Sequence, residues 1–277
     1  MATPNEPIVV GIDGSEDAVT AARWAVAEAG RRAARLLLVI VNDDPAREDH
    51  AENAVHDVAE KCRALQPDLD VETEVARGRP VEELLRRSES AGLVVLGKRG
   101  RGGFAEALLG GVSSAVAAHG ACPVVVVPES ASANEGHVVA GVDGSEPSTD
   151  ALRFAFQEAE RSRADLMAVE MWHEEGLLAV PLPPVDRRRV EHELERGLAD
   201  QVSAVSGEFP GVHVRRVVQR GHPVASLIDL GREAQLLVVG HRGRGGFDGL
   251  FLGSVALGVL HHARCPVAVV RSAATTS

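Results

Sequence analysis

Residues 240–254 read GHRGRGGFDGLFLGS, and their types and spacing suit the binding of an anion. Gly240, Gly243 and Gly253 are separated by two and then nine residues, and Ser254 follows directly. Glycine lets backbone N–H groups approach a ligand closely. Arg242 and Arg244, with Gly245 beside them, sit inside the loop, where guanidinium groups add charge-assisted hydrogen bonds to phosphate oxygens. The spacing recurs at Gly97, Gly100 and Gly110, with Arg99, Arg101 and Gly102 inside, but Gly111 replaces the serine. Neither loop is a Walker A motif, since no Gly-Lys-Ser/Thr follows. Neither is the GxGxxG dinucleotide fingerprint, which would open the first helix. Either loop alone also reads as a plain connector with solvated arginines; two in equivalent places weaken that reading.

Each loop follows an apolar strand (residues 93–96 and 236–239) and leads into a helical pattern, residues 112–119 and 255–263. Strand, glycine-rich loop and helix together present N–H groups and a helix N-terminus to an anion. The rest of the chain is also written twice. IVVGIDGSEDAVTAARWAVAEA (8–29) matches VVAGVDGSEPSTDALRFAFQEA (138–159) at an offset of 130, pairing Gly11 with Gly141 and Asp13 with Asp143. Residues 77–85, 93–104 and 119–127 match 220–228, 236–247 and 262–270 at an offset of 143, so the second copy is 13 residues longer. Repeats of this length are domains rather than solenoid units, placed at residues 1–128 and 137–272.

In the first copy, continuous apolar runs at 7–12, 36–41, 93–96 and 123–127 predict buried strands, and 71–76 a weaker one near an edge. Helical spacing fills 18–29 and 51–65, and Pro80 suits the first turn of a short helix ending near Ser88. Continuous apolar strands alternating with helices predict an α/β fold: two tandem doubly wound domains, each a parallel sheet flanked by helices. Ligands of such sheets bind beyond the strand C-terminal ends at the switch point. Gly11 to Asp13 and Gly97 end two strands, and if these are neighbours both face one crevice.

The composition narrows the function. A net charge of −11 argues against a general nucleic-acid binder. No apolar run approaches a membrane span, and residues 1–11 lack the basic and apolar regions of a secretory signal. Three cysteines, Cys62, Cys122 and Cys265, imply no disulfide framework. The cytoplasm is the expected compartment.

The chain resembles the universal stress protein family, specifically its ATP-binding branch in tandem form. The resemblance rests on Val-Gly-x-Asp-Gly-Ser at 10–15 and 140–145, on both glycine loops, and on Cys-Pro-Val at 122–124 and 265–267. It covers almost the whole chain. It implies a five-stranded sheet per copy in the order 3-2-1-4-5, with ATP and magnesium at the switch point. Asp13 and Asp143 would contact the adenosine moiety, and the backbone around Val41 and Met171 would line the adenine. The loop glycines would lie against ribose and phosphates, and Ser254, with Val255 after it, would bring a hydroxyl to a terminal phosphate. Gly111 departs from that pattern, which puts the first site in doubt unless Ser113 compensates.

Other readings stay open. Asp13 and Asp143 also suit an Asp-Gly-Ser turn capping the next helix. A slow ATP hydrolase, a nucleotidyl-transfer enzyme or a scaffold with vestigial sites would share this pattern, although no residue stands out as a general base. His119 with Cys122, and His262 with Cys265, have too few ligands for a metal site; a histidine at a helix C-terminus and a buried cysteine fit better. Residues 187–196 read as a solvated helix face. Residues 174–189, with three prolines, read as an extended loop: a surface insertion, a flap over the second crevice, or a segment that packs on a partner. The closing strands, 123–127 and 266–270, would leave apolar sheet edges, so they are expected to pair with each other. A homodimer of the whole chain is a further expectation.

Overall fold

The computed structural model describes residues 6–100, 109–131, 136–172, 187–244 and 251–272. In the first copy the chain runs β1 (Ile8–Ile12), α1 (Glu16–Arg32), β2 (Leu36–Asn42), α2 (Glu48–Leu65), β3 (Val71–Arg77), α3 (Pro80–Ser88), β4 (Leu93–Gly97), α4 (Gly111–His119) and β5 (Val124–Val127). The second copy repeats it: β6 (His137–Val142), α5 (Glu146–Ser162), β7 (Leu166–Trp172), α6 (Arg187–Ser206), β8 (Val214–Arg220), α7 (Pro223–Leu230), β9 (Ala234–Gly240), α8 (Ser254–His262) and β10 (Val267–Val270). Local chemistry sets the boundaries. Ser15 and Ser145 cap α1 and α5 by accepting from the N–H groups of Ala18 and Ser148, and Pro80 and Pro223 open α3 and α7.

All ten strands form one sheet, in the order β3-β2-β1-β4-β5-β10-β9-β6-β7-β8. Each half therefore has the 3-2-1-4-5 order, parallel throughout. The halves join through β5 and β10, which run antiparallel with Val126 opposite Val267 and Val124 opposite Val269. Both strands are wholly buried. Each copy's apolar edge is thus covered by the other, and β3 and β8, the least apolar strands, take the outer edges.

The pleat divides the core. Leu36, Leu38 and Ile40 pack on one side of the sheet with α1 and α2, and Val39 packs on the other with Leu84 of α3 and Val116 of α4. The loop expected at 174–189 is corrected at its end: Arg187 to Arg189 begin α6, where arginine and glutamate are good helix formers. Residues 173–186 lie outside the described residues, as does most of that segment. The first half of α6 is largely exposed, as a solvated face should be.

On the α1/α5 face the copies meet through charge. Glu28 and Glu158, equivalent in the repeat, are both buried. Arg32 donates to both carboxylates, while Arg31 and Arg161 each hold the glutamate of their own helix at 2.8 and 2.6 Å. Burial pushes Glu28 up, but Arg32, the hydrogen bond from Glu158 and Arg31 outweigh it and bring it to about 2. Burial and the charge of Glu28 push Glu158 up to about 8. The two carboxyls are thus driven in opposite directions, Glu28 downward by the guanidinium groups and Glu158 upward by burial and its charged neighbour.

Candidate functional site

The C-terminal ends of β1 and β4 are neighbours, with Gly11 opposite Leu96. This is the switch point, where β1 leads to α1 and β4 to the glycine loop. A cleft of about 370 Å³ opens there. Gly11, Asp13, Val41, Gly97, Arg99, Gly100, Gly110, Gly111 and Ser113 all line it, with Leu84, Leu96 and Val39 as an apolar wall. The sequence-predicted residues of the first copy are therefore brought together. Arg101 and Gly102, and Gly245 in the second copy, lie outside the described residues.

Two glycine positions are dictated by geometry. Gly14 and Gly144 adopt φ of 79° and 77°, so the Asp-Gly turn needs glycine. At Gly97 an added Cβ would lie 2.7 Å from the backbone carbon of Asp17, and at Gly240 2.8 Å from that of Pro147. The strand end and the helix start touch there, which puts the loop directly against the Asp turn. The base of each loop is then closed by one backbone hydrogen bond, from Gly110 to Lys98 O and from Gly253 to His241 O, both 2.8 Å. The caps of α4 and α8 are glycines, so no cap side chain engages the first N–H groups of those helices.

Each aspartate does more than line the crevice. Asp13 Oδ1 accepts from Ser15 N at 3.0 Å and from Ser15 Oγ at 2.6 Å, and Asp143 repeats both bonds with Ser145. Asp143 Oδ2 also accepts from Arg244 N at 2.8 Å, which clamps the loop to the turn. Burial raises the Asp143 carboxyl, but the bonds from Ser145, Arg244 and Ser148 outweigh it and hold it below its ordinary value. Gly100 and Gly243 pass so near the carboxylates that an added Cβ would collide with Asp13 Oδ2 or Asp143 Oδ2.

The hydroxyls differ in employment. Ser113 Oγ donates to Gly97 O at 2.7 Å and is buried, so its one proton already serves the strand end. Ser254, the first residue of α8, is exposed. Gly111 takes the same place in α4, and an added Cβ there would meet nothing within 4 Å. In the second copy Gly141 packs against Leu227 and Val239, counterparts of Leu84 and Leu96, and Met171 and Val255 join the same apolar side.

Several neighbours escaped the sequence reading. Glu170, which replaces Ile40, is buried in β7. Burial and Asp143 raise its carboxyl while Arg244 lowers it, the net effect being upward; a lone glutamate in the apolar run LMAVEMW was its visible signal. Asp17 accepts from Arg99 N at 2.9 Å, and Arg99 also reaches Glu129 at 2.9 Å. Neither acid had a signal, since acids are ordinary in a first helical turn and in a polar linker. The ring of His119 lies 4.4 Å from that of Phe251, so the second loop touches the first domain. Burial raises the three thiols, Cys62 and Cys265 to about 11 and Cys122 to about 12, which leaves them poor nucleophiles and poor metal ligands. Among the described residues no group of three or more metal-ligating side chains assembles, and no helix is long and apolar enough to cross a membrane.

Comparison with known proteins adds the relatives. The model of the universal stress protein family matches residues 4–128 and again 136–271. Universal stress protein Rv2005c of Mycobacterium tuberculosis is 36% identical over 286 residues, covering 95% of this chain and 96% of that one. Universal stress protein Rv1996 of the same organism is 35% identical over 302 residues, covering 96% and 95%. Among solved structures, a universal stress protein from Archaeoglobus fulgidus DSM 4304 superposes with a TM-score of 0.70 at 20% identity, covering 96% of each chain. A functionally unknown protein from Pseudomonas aeruginosa PAO1 does so with 0.66 at 18% identity, covering 97% of this chain and 93% of that one. These two show a shared fold.

Proposed function

The chain belongs to the universal stress protein family, and from that premise we propose that it binds ATP in two crevices and acts as a nucleotide-dependent sensor or switch in the stress response. The observation that carries this is the build of the first cleft. An apolar slot of about 370 Å³ ends on the N-terminus of α4, whose first N–H groups receive no cap side chain, and on a glycine loop pinned at its base. That volume lies within the range of small-ligand sites, roughly 300–1,000 Å³. The apolar wall suits a base, and the helix N-terminus suits phosphates. The residues therefore fit the nucleotide, and magnesium would accompany its phosphates. Signalling would follow from occupancy rather than turnover, in the cytoplasm, through a protein partner or a second copy of the chain. Mass spectrometry of nucleotide released from gently purified protein tests the reading: ATP supports it, and no release together with no binding on titration overturns it.

The second site is expected to hold ATP more tightly, because Ser254 keeps a free approach that Ser113 lacks. Exchange of the two residues tests this. Gly111→Ser should tighten the first site roughly tenfold and Ser254→Gly should loosen the second by a similar factor, about 1–2 kcal/mol each. Two-site calorimetric titration reads both; equal affinities that neither variant moves would refute the assignment.

A further inference from the structure

The base of each glycine loop is tied to the helix that opens the other site. Lys98 O accepts the bond that closes the first loop, from Gly110 N at 2.8 Å, and Lys98 Nζ donates to Ala263 O at 3.1 Å. Ala263 ends α8, whose first residue, Ser254, stands in the second site. Other residues make the return link. His241 O accepts the bond that closes the second loop, from Gly253 N, and His241 N donates to Val270 O, both at 2.8 Å. Arg271, next in the chain, donates from Nη1 to Ala118 O at 2.9 Å. Ala118 lies in the last turn of α4, whose first residue, Gly111, lines the first cleft. The repeat does not copy one link into the other, since His241 matches Lys98 and Pro128 matches Arg271.

We infer that Lys98 and Arg271 are positioning residues that couple the two nucleotide sites, so that ATP in one crevice orders the phosphate-binding helix of the other. This rests on the nucleotide reading above and specifies how the two sites are regulated. The physical reason lies in the helices. α4 and α8 have nine residues each, about 14 Å from end to end. At one end their free N–H groups face phosphate. At the other, the free carbonyls carry the negative end of the dipole, and a cation from across the seam grips one of them. Each short rod is thus held between its own ligand and the opposite loop base. A loop base fixed by nucleotide holds its cation still, and the helix gripped by that cation then loses less freedom when its own nucleotide arrives. Coupling of this kind is reciprocal, each site tightening the other by the same factor.

The test reads each helix from the other domain's site, in the full chain. Gly243→Val closes the second site, since its side chain would run into the Asp143 carboxylate, and leaves the first open to ATP. Saturating ATP should then slow hydrogen exchange of the α8 amides, residues 255–260, about fivefold. Adding Lys98→Met should abolish that slowing, while calorimetry shows ATP bound at the first site within about twofold of its former affinity. Lys98→Arg, which can still donate to Ala263 O, should keep it. A merely structural role for Lys98 would speed exchange with and without ATP alike and leave the response to ATP in place. The mirror chain, Gly100→Val with Arg271→Met, reads α4 in the same way and decides the matter should Gly243→Val fail to fold. ATP bound at one site with no change in the opposite helix, or an unchanged response in Lys98→Met, overturns the inference and leaves nucleotide binding intact. If ATP binds neither these chains nor the unaltered one, the nucleotide reading falls and the inference with it.

Discussion

Replacing Arg32 with Met is expected to destabilise the chain by about 3–5 kcal/mol at pH 7, because the change leaves two buried carboxyl groups, Glu28 and Glu158, facing each other across the seam of the domains without their guanidinium. Arg32 donates to both Glu28 and Glu158. The loss follows pH with a definite sign. Glu158 is raised in the folded chain, to about 8, so its protonated form stabilises below the ordinary carboxylate range. That contribution is lost as pH rises through about 8. Glu28 is lowered to about 2, so its contribution is present above the ordinary range and lost as pH falls through about 2. Urea titrations from pH 5 to 9 should show the Arg32→Met deficit growing with pH, since ionising both carboxylates becomes costlier without the guanidinium. Glu158→Gln provides the control: it imitates the protonated acid, so stability at pH 7 should hold within about 1 kcal/mol and the slope between pH 5 and 8 should flatten. An Arg32→Met deficit below 1 kcal/mol, or one independent of pH, would show that Arg32 does not hold the two buried carboxyls together.

Replacing Asp143 with Ala is expected to weaken nucleotide binding at the second site about a hundredfold, near 2.7 kcal/mol. Ser145 N at 3.0 Å, Ser145 Oγ at 2.6 Å and Arg244 N at 2.8 Å all end on that carboxylate. Its loss unfastens the loop from the turn and removes the bond that orients the capping serine. The fold should lose only the value of a weakened cap, about 1 kcal/mol, so thermal melting and binding should separate. The carboxyl lies below its ordinary value in the folded chain. Its stabilising charge is therefore present at neutral pH and lost only as pH falls beneath the usual carboxylate range. Calorimetry across the variant series decides the matter: a loss in binding no larger than the loss in stability would reduce Asp143 to a helix cap.

That last contrast marks how far the residues speak for themselves. The Asp-Gly-Ser turn at 13–15 and 143–145 admitted two readings in the sequence, a cap or a ligand contact. In the structure one carboxylate oxygen serves the capping serine while, in the second copy, the other grips the loop. Support of the cap and a grip on the loop coexist because Asp has two oxygens and the turn aims them apart. Ser113 went the other way. Its spacing suggested a hydroxyl to replace the one missing at Gly111, but the hydroxyl is given to the carbonyl of Gly97, which α4 packs beside.

What the sequence determined by itself was everything carried by short-range pattern. Continuous apolar runs specified buried parallel strands, serine and proline placed the helix starts, and glycine marked the backbone that must turn or touch. The repeat then doubled each inference, and the exposed apolar edges of residues 123–127 and 266–270 required each other. Tertiary structure alone decided which charges meet. Glu28 and Glu158 stand at equivalent helix positions, visibly so, yet only the antiparallel union of β5 with β10 brings them together under Arg32. Asp17 and Glu129 look like ordinary surface acids until β4 delivers Arg99 between them. Backbone preference and hydrophobic periodicity act over a few residues and are written locally. A charge is defined by its neighbours in space, and those neighbours come from distant parts of the chain.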